Sequence, residues 1–84
     1  MTKNMFVAAT LLASVSAIAL AAGPVELNDE NTGRIREMLT DQGYEVGKIK
    51  IEDGLYEAYA RKDGHKYEVF LDGDFAVVRT EMDD

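Results

Sequence analysis

Three two-residue turn signals, spaced ten residues apart, constrain the fold of this chain more than any other feature. They are Asp53-Gly54, Asp63-Gly64 and Gly73-Asp74. Each dipeptide tolerates the positive backbone φ angles of a tight β-hairpin turn. Between the turns, apolar residues alternate with polar ones, as in strands that bury one face. The pattern predicts an antiparallel meander of four strands, at residues 46–52, 55–61, 66–72 and 75–80.

The first two turns also predict the strand register, because a two-residue turn fixes which residues lie opposite each other. The first turn places Ile51 opposite Tyr56, and the second places Ala60 opposite Tyr67. Both hairpins then bring one apolar set to the same face, whereas a slip by one residue would divide the set between two faces. The predicted inner face consists of Ile49, Ile51, Tyr56, Ala58, Ala60, Tyr67, Val69 and Leu71.

The third hairpin allows two registers. A two-residue turn at Gly73-Asp74 places Glu68 opposite Arg79 as an outward-facing ion pair. A three-residue loop instead turns Phe75 and Val77 inward. The first register is favoured because opposite charges then face each other across the strands.

A helix is predicted before the strands, at residues 29–42. Asn28 or Asp29 can cap its free backbone N–H groups, and Gly43 is a typical left-handed stop. Apolar residues at helical spacing give it one stripe that can cover the inner face of the sheet. We therefore expect an α+β fold, with one helix packed on a four-stranded antiparallel meander. The stripe consists of Ile35, Met38, Leu39 and Gln42.

The chain begins with the three-part pattern of a cleavable secretory signal. Lys3 precedes an uncharged run at residues 5–22, and Ala19-Leu20-Ala21 supplies a small-x-small cleavage site. We expect a signal helix at 1–21, a linker at 22–28 and one domain at 29–84, in a periplasmic or secreted location. The alternative is an uncleaved membrane anchor, since 18 uncharged residues reach the lower limit for spanning a bilayer.

Charge limits the partners that the exported domain can have. Loss of Lys3 with the signal leaves 8 basic and 16 acidic residues, a net charge of −8. Such a surface argues against nucleic acid, whose phosphates need basic residues, and against membrane contact other than through an uncleaved signal. The chain has no cysteine and so no disulfide. A domain of this size is marginally stable alone, and a homodimer or a bound partner would add stability.

No catalytic, cofactor or metal residues are predicted. Beyond residue 21 the chain has no Ser or Cys nucleophile, and His65 is a lone histidine beside a turn. Asp72-Gly73-Asp74 lacks the spaced ligands and closing glutamate of a calcium loop. The sequence thus gives no support to an enzyme.

The outer face of the predicted sheet carries Tyr59, Phe70 and Val77 among charged residues. Two interpretations stay open. The three residues could pair across strands on a half-exposed surface. They could instead form a contact surface for a protein partner or a second copy, because aromatic residues are enriched at interface hot spots.

Residues 35–78 resemble the PepSY domain in the order and spacing of several short motifs. Relative to many members of that family, the last turn is compressed to Asp72-Gly73-Asp74. The motifs are the helix end Leu39-x-x-x-Gly43-Tyr44, the segment Asp53-Gly54-x-Tyr56-Glu57, the turn glycine Gly64, and the strand Tyr67-Glu68-Val69.

The resemblance implies a non-catalytic role. PepSY domains occur in propeptides of secreted metallopeptidases, where they are associated with inhibition or folding control, in membrane proteins, and as lone exported proteins. The family has no catalytic residue set. We therefore expect an exported binding module that acts on a protein partner such as a peptidase, with ligand or ion sensing in the cell envelope as the alternative.

Overall fold

One helix and four strands make up the part of the chain that the computed structural model describes, residues 23–83. The predicted signal peptide and its helix, at 1–21, lie outside the described residues. The strands form one antiparallel sheet in the order β1-β2-β3-β4, which confirms the predicted α+β meander. The elements are α1 (Asp29–Asp41), β1 (Glu45–Glu52), β2 (Leu55–Lys62), β3 (His65–Leu71) and β4 (Val77–Met82).

Helix α1 begins and ends at the predicted signals. The Asn28 side chain accepts a hydrogen bond from the Asn31 N–H at 2.8 Å, which satisfies one free donor of the first turn. At the other end Gly43 has a φ of 97°, and the Tyr44 N–H donates to the Leu39 carbonyl at 3.0 Å. This is a Schellman ending, in which a left-handed glycine lets the chain reverse and cover the last carbonyls.

The first two hairpins have the predicted two-residue turns. Asp53 and Gly54 have φ angles of 54° and 77°, and Asp63 and Gly64 have 55° and 81°. Positive φ at both central residues is the type I′ turn, whose twist matches that of the flanking strands.

The turns set the registers that the sequence predicts. Every inner-face pair expected for the first two hairpins is present. The predicted residues are buried or half-buried, except Ile51, which is 39 % exposed at the far end of edge strand β1. The buried core consists of Ile35 and Leu39 from the helix with Ile49, Tyr56, Ala58, Ala60, Val69 and Leu71 from the sheet.

A β-bulge interrupts β1. Val46 lies opposite Ala60 and Ile49 lies opposite Ala58, so two residues of β1 oppose Tyr59 alone. The extra residue lets Val46 and Ile49, three positions apart, both face the core.

The predicted two-residue turn at Gly73-Asp74 is wrong. Residues 72–76 form the connection, and β4 starts at Val77 rather than at residue 75. As a result Arg79 lies opposite Phe70, and Glu68 lies opposite Glu81 instead of forming an ion pair with Arg79.

Burial of Phe75 explains the longer connection. Its ring stacks on Tyr56 at a centroid distance of 5.8 Å, and the Arg34 guanidinium lies 4.8 Å from the ring centroid. Phe75 has a φ of 66°, a costly conformation for a bulky residue. The Asp72 carboxylate holds the loop by accepting hydrogen bonds from two backbone N–H groups further along it. Apolar burial therefore outweighs the local preference for a tight turn.

Residues 23–28, predicted as a linker, lie against the domain. The Tyr56 hydroxyl accepts from the Glu26 N–H and donates to the Glu26 carbonyl, both at 2.8 Å. The Asn31 side-chain amide donates to the same carbonyl and to the same hydroxyl. At the start of this segment, the backbone of Gly23 lies against that of Gly73. A Cβ atom at Gly73 would overlap the Gly23 carbonyl, so only glycine fits at residue 73.

Candidate functional site

The sheet has a second face, which we call the open face, and no element within residues 23–83 covers it. The helix packs on the other side, where all the core residues lie. The strand registers place side chains of both charge signs and two aromatic rings on the open face. Its central residues are Lys50, Glu57, Tyr59, Glu68, Phe70, Arg79 and Glu81.

Glu57 is a buried carboxyl group at the centre of the open face, with only 2 % of its surface exposed. Its Oε1 finds no hydrogen-bond partner among the described residues. The nearest cation is Lys50, whose Nζ lies 3.7 Å from that oxygen but 3.1 Å from a Glu52 oxygen. Lys50 therefore neutralises Glu57 only in part. A buried acceptor without a hydrogen bond costs about 1–3 kcal/mol.

A second carboxyl group lies next to Glu57. A hydrogen bond with Glu57, burial and the nearby Asp83 carboxylate together raise the pKa of Glu68 to about 7, with the hydrogen bond as the largest cause. The main physical cause is that protonated Glu68 can donate this hydrogen bond to the Glu57 carboxylate, and repulsion between the carboxylates adds a smaller effect. The open face thus has a carboxyl pair, Glu57 and Glu68, in which Glu68 changes its charge near neutral pH.

The structure brings two of the three predicted contact residues together. Phe70 is 4 % exposed because the Arg79 guanidinium lies over its ring, 4.0 Å from the centroid. Tyr59 is half-buried, with the Lys50 Nζ 5.8 Å from its ring centroid. Both rings flank the carboxyl pair, since Phe70 lies opposite Glu57 and Tyr59 lies opposite Glu68.

Val77 lies apart from the other two. It is opposite Leu71, a core residue, and directly opposed residues share a face of the sheet. Val77 is nonetheless exposed, because β4 extends beyond the cover of the helix. The open face therefore presents Tyr59 as its accessible aromatic ring, with Phe70 beneath Arg79.

A depression of about 420 Å³ adjoins Tyr59. Its wall carries both charge signs. Glu45 and Asp83 are acidic, and Arg61 and Lys66 are basic. A surface with this mixture can form several charge-assisted hydrogen bonds to a polypeptide.

The carboxyl pair was not predicted from the sequence, and the reason is the register of β4. The predicted register places Arg79 opposite Glu68, which would neutralise it. In the structure Glu81 takes that position, and Glu68 interacts with the carboxyl groups of Glu57 and Asp83. The sequence signal that could have revealed the pair is the predicted outward position of both Glu57 and Glu68, which lie two positions apart on neighbouring strands.

The other candidate groups have structural roles or lie elsewhere. Asp72 accepts hydrogen bonds from the Asp74 and Ala76 N–H groups, at 2.8 and 3.1 Å, and so orders the β3–β4 loop. His65 lies at the β2–β3 turn, with its ring 6.4 Å from that of Tyr67. Across residues 23–83, no three His, Cys, Asp or Glu side chains are grouped so that they could hold a metal ion.

The chain belongs to the PepSY family, since the family model for the peptidase propeptide and YPEB domain matches residues 4–81. Domains of this family are generally non-catalytic propeptide or inhibitor-like modules, typically extracellular or periplasmic. No curated protein and no solved structure gives a significant match. In the described residues, no helix is long and apolar enough to cross a membrane.

Proposed function

We propose that this protein is an exported, non-catalytic binding module that modulates or inhibits a peptidase. The observation that carries the proposal is the open face, where Oε1 of the buried Glu57 carboxylate has no hydrogen-bond partner within residues 23–83 and lies near the half-buried ring of Tyr59. Membership of the PepSY family supports the inhibitor-like role.

The carboxyl pair favours a partner that presents a lysine or arginine side chain. In the free protein, Oε1 of Glu57 has no hydrogen bond within residues 23–83. A guanidinium or ammonium group placed there would supply that bond and would favour the ionised form of Glu68. The net charge of −8 beyond residue 21 would steer such a partner towards the domain.

The three predicted contact residues then have different roles. Tyr59 touches the partner directly, as the half-buried ring beside the carboxyl pair. Phe70 lies beneath the Arg79 guanidinium and, together with the Glu81 carboxylate that accepts a hydrogen bond from Arg79 at 2.7 Å, fixes its orientation. Val77 lies at the margin of the contact.

The test is inhibition of proteolysis. Purified full-length protein is titrated into the secreted and envelope fractions of its host, and hydrolysis of fluorescent casein is measured. We expect inhibition that weakens at least tenfold in Tyr59→Ala and in Glu57→Gln, because each removes a central contact. Thr40→Ala is the matched control, since Thr40 is exposed on the helix.

Two outcomes would contradict the proposal. Unchanged proteolysis at every concentration would exclude inhibition of those peptidases. Inhibition that is equally strong in all three variants would show that the partner binds elsewhere on the domain.

One observation favours the alternative function, ligand or ion sensing. A carboxyl group with a pKa of about 7, as in Glu68, also responds to cations. A sensor would show a rise in melting temperature with calcium or with a small cationic ligand, and Glu68→Gln would abolish it. A flat response would leave the binding module as the function.

A further inference from the structure

Strand β4 is an edge strand that lacks a neighbour on one side among the described elements. All six of its residues are exposed. They include three large apolar side chains, Val77, Val78 and Met82. An exposed edge strand is a template for pairing with another strand.

The opposite edge of the sheet, strand β1, is protected against pairing with another strand, whereas β4 has less protection of this kind. Strand β1 has a bulge at Gly47 and Lys48, and bulges and lysines both hinder edge pairing. The register shift of β4 lies at its start, between the partners of Phe70 and Leu71. Residues 79–82 are regular and contain neither proline nor lysine.

The sequence of β4 is complementary to itself when a second copy runs antiparallel. Residues 78–82 read Val-Arg-Thr-Glu-Met. With Thr80 opposite Thr80 of the second copy, Val78 faces Met82, and the Arg79–Glu81 ion pair, which has a distance of 2.7 Å within one copy, would be exchanged for the same pair between the two copies. Each opposite-charge pair occurs twice, as two-fold symmetry requires for an isologous contact.

The direction in which the backbone N–H and C=O groups of β4 point agrees with this register. The Asp83 N–H donates to the Lys66 carbonyl at 2.8 Å, so Asp83 points its backbone groups towards β3. Inward and outward backbone groups alternate along an antiparallel ladder. Thr80 and Met82 therefore direct their N–H and C=O groups to the open edge, where Thr80 can exchange two hydrogen bonds with its own counterpart.

We propose that two copies of this chain associate through β4, with Thr80 on the two-fold axis, to form a continuous eight-stranded antiparallel sheet. A single strand pair buries less than a standard stable interface, so the dimer is weak and reversible. The two open faces lie on the same side of the joined sheet, because directly opposed residues share a face.

The absence of cysteine allows a direct test. In Thr80→Cys of the full chain, the new thiol lies opposite its own counterpart across the axis. We expect it to form disulfide-linked dimers under mild oxidation at least tenfold faster than Thr40→Cys, an exposed helix position used as the control. Equal rates in the two variants would show random collision and would overturn the proposal.

Charge variants test the register and do not depend on the cysteine. Arg79→Glu places glutamates opposite each other, and Glu81→Arg does the same with arginines, so each alone should weaken the dimer about tenfold in sedimentation velocity. A mixture of the two variants pairs opposite charges again and should restore it. A mixture that stays monomeric, or a wild-type protein that stays monomeric up to sub-millimolar concentration, would overturn the proposal.

Discussion

The two faces of the sheet differ in how their polar atoms are satisfied. On the covered face, the fully buried Tyr56 carries a hydroxyl group, and Glu26 and Asn31 supply its hydrogen bonds. On the open face, Glu57 is equally buried, but its Oε1 has no hydrogen bond within residues 23–83. The hydrogen bonds of the covered face therefore stabilise the domain, whereas the open face holds a carboxylate oxygen whose hydrogen bond a partner could supply.

The largest effect should come from the covered face. Leu39→Ala removes a fully buried side chain that packs on the sheet, and such substitutions cost about 2–5 kcal/mol. In a domain this small, most of the stability would be lost. Urea unfolding followed by circular dichroism measures it, with Thr40→Ala as the exposed neighbour for comparison. A loss below about 1 kcal/mol would mean that the helix contributes little to the core.

A smaller effect of opposite sign is expected on the open face. Glu57→Gln keeps the shape of the side chain, removes a poorly satisfied charge and lets the amide donate to Glu68. We expect the free energy of unfolding to rise by about 1 kcal/mol, while inhibition of the partner weakens. Destabilisation would instead show that the Lys50–Glu57 pair contributes more than the burial of Glu57 costs.

The third effect concerns pH, and the partial solvent exposure of Glu68 reduces its size. Because the folded pKa of Glu68, about 7, lies above its ordinary value of 4.5, the folded state holds the proton more tightly than the unfolded state. The resulting stability is fully present below pH 4.5 and is lost as the pH rises through 7. Glu68→Gln should remove this part of the pH dependence, as measured by urea unfolding between pH 4.5 and 8. Identical pH profiles for the wild type and Glu68→Gln would rule out the shared proton.

Most of the covered face could be predicted from the sequence because local signals determine it. The turns at Asp53-Gly54 and Asp63-Gly64 set two registers, and Gly43 ends the helix. Ile51 is an exception, because it has the predicted partner but lies where the helix does not reach.

The open face was predicted less well because it depends on contacts between residues distant in sequence. The stacking of Phe75 on Tyr56 sets the length of the last loop and so the register of β4. That register decides whether Glu68 faces Arg79 or Glu81. A pattern of charges on neighbouring strands could not reveal this, since both registers preserve the alternation of polar and apolar residues.

The hydrogen bonds of Tyr56 have a consequence for the resistance of the chain to proteolysis. Proteases cleave chains that they can bind in an extended form, and exposed segments near the ends of a domain are their usual targets. Glu26 lies in such a segment, yet the Tyr56 hydroxyl engages both its N–H and its carbonyl. The resistance of this segment to cleavage therefore depends on one phenolic oxygen together with the Asn31 amide, which donates to the same carbonyl.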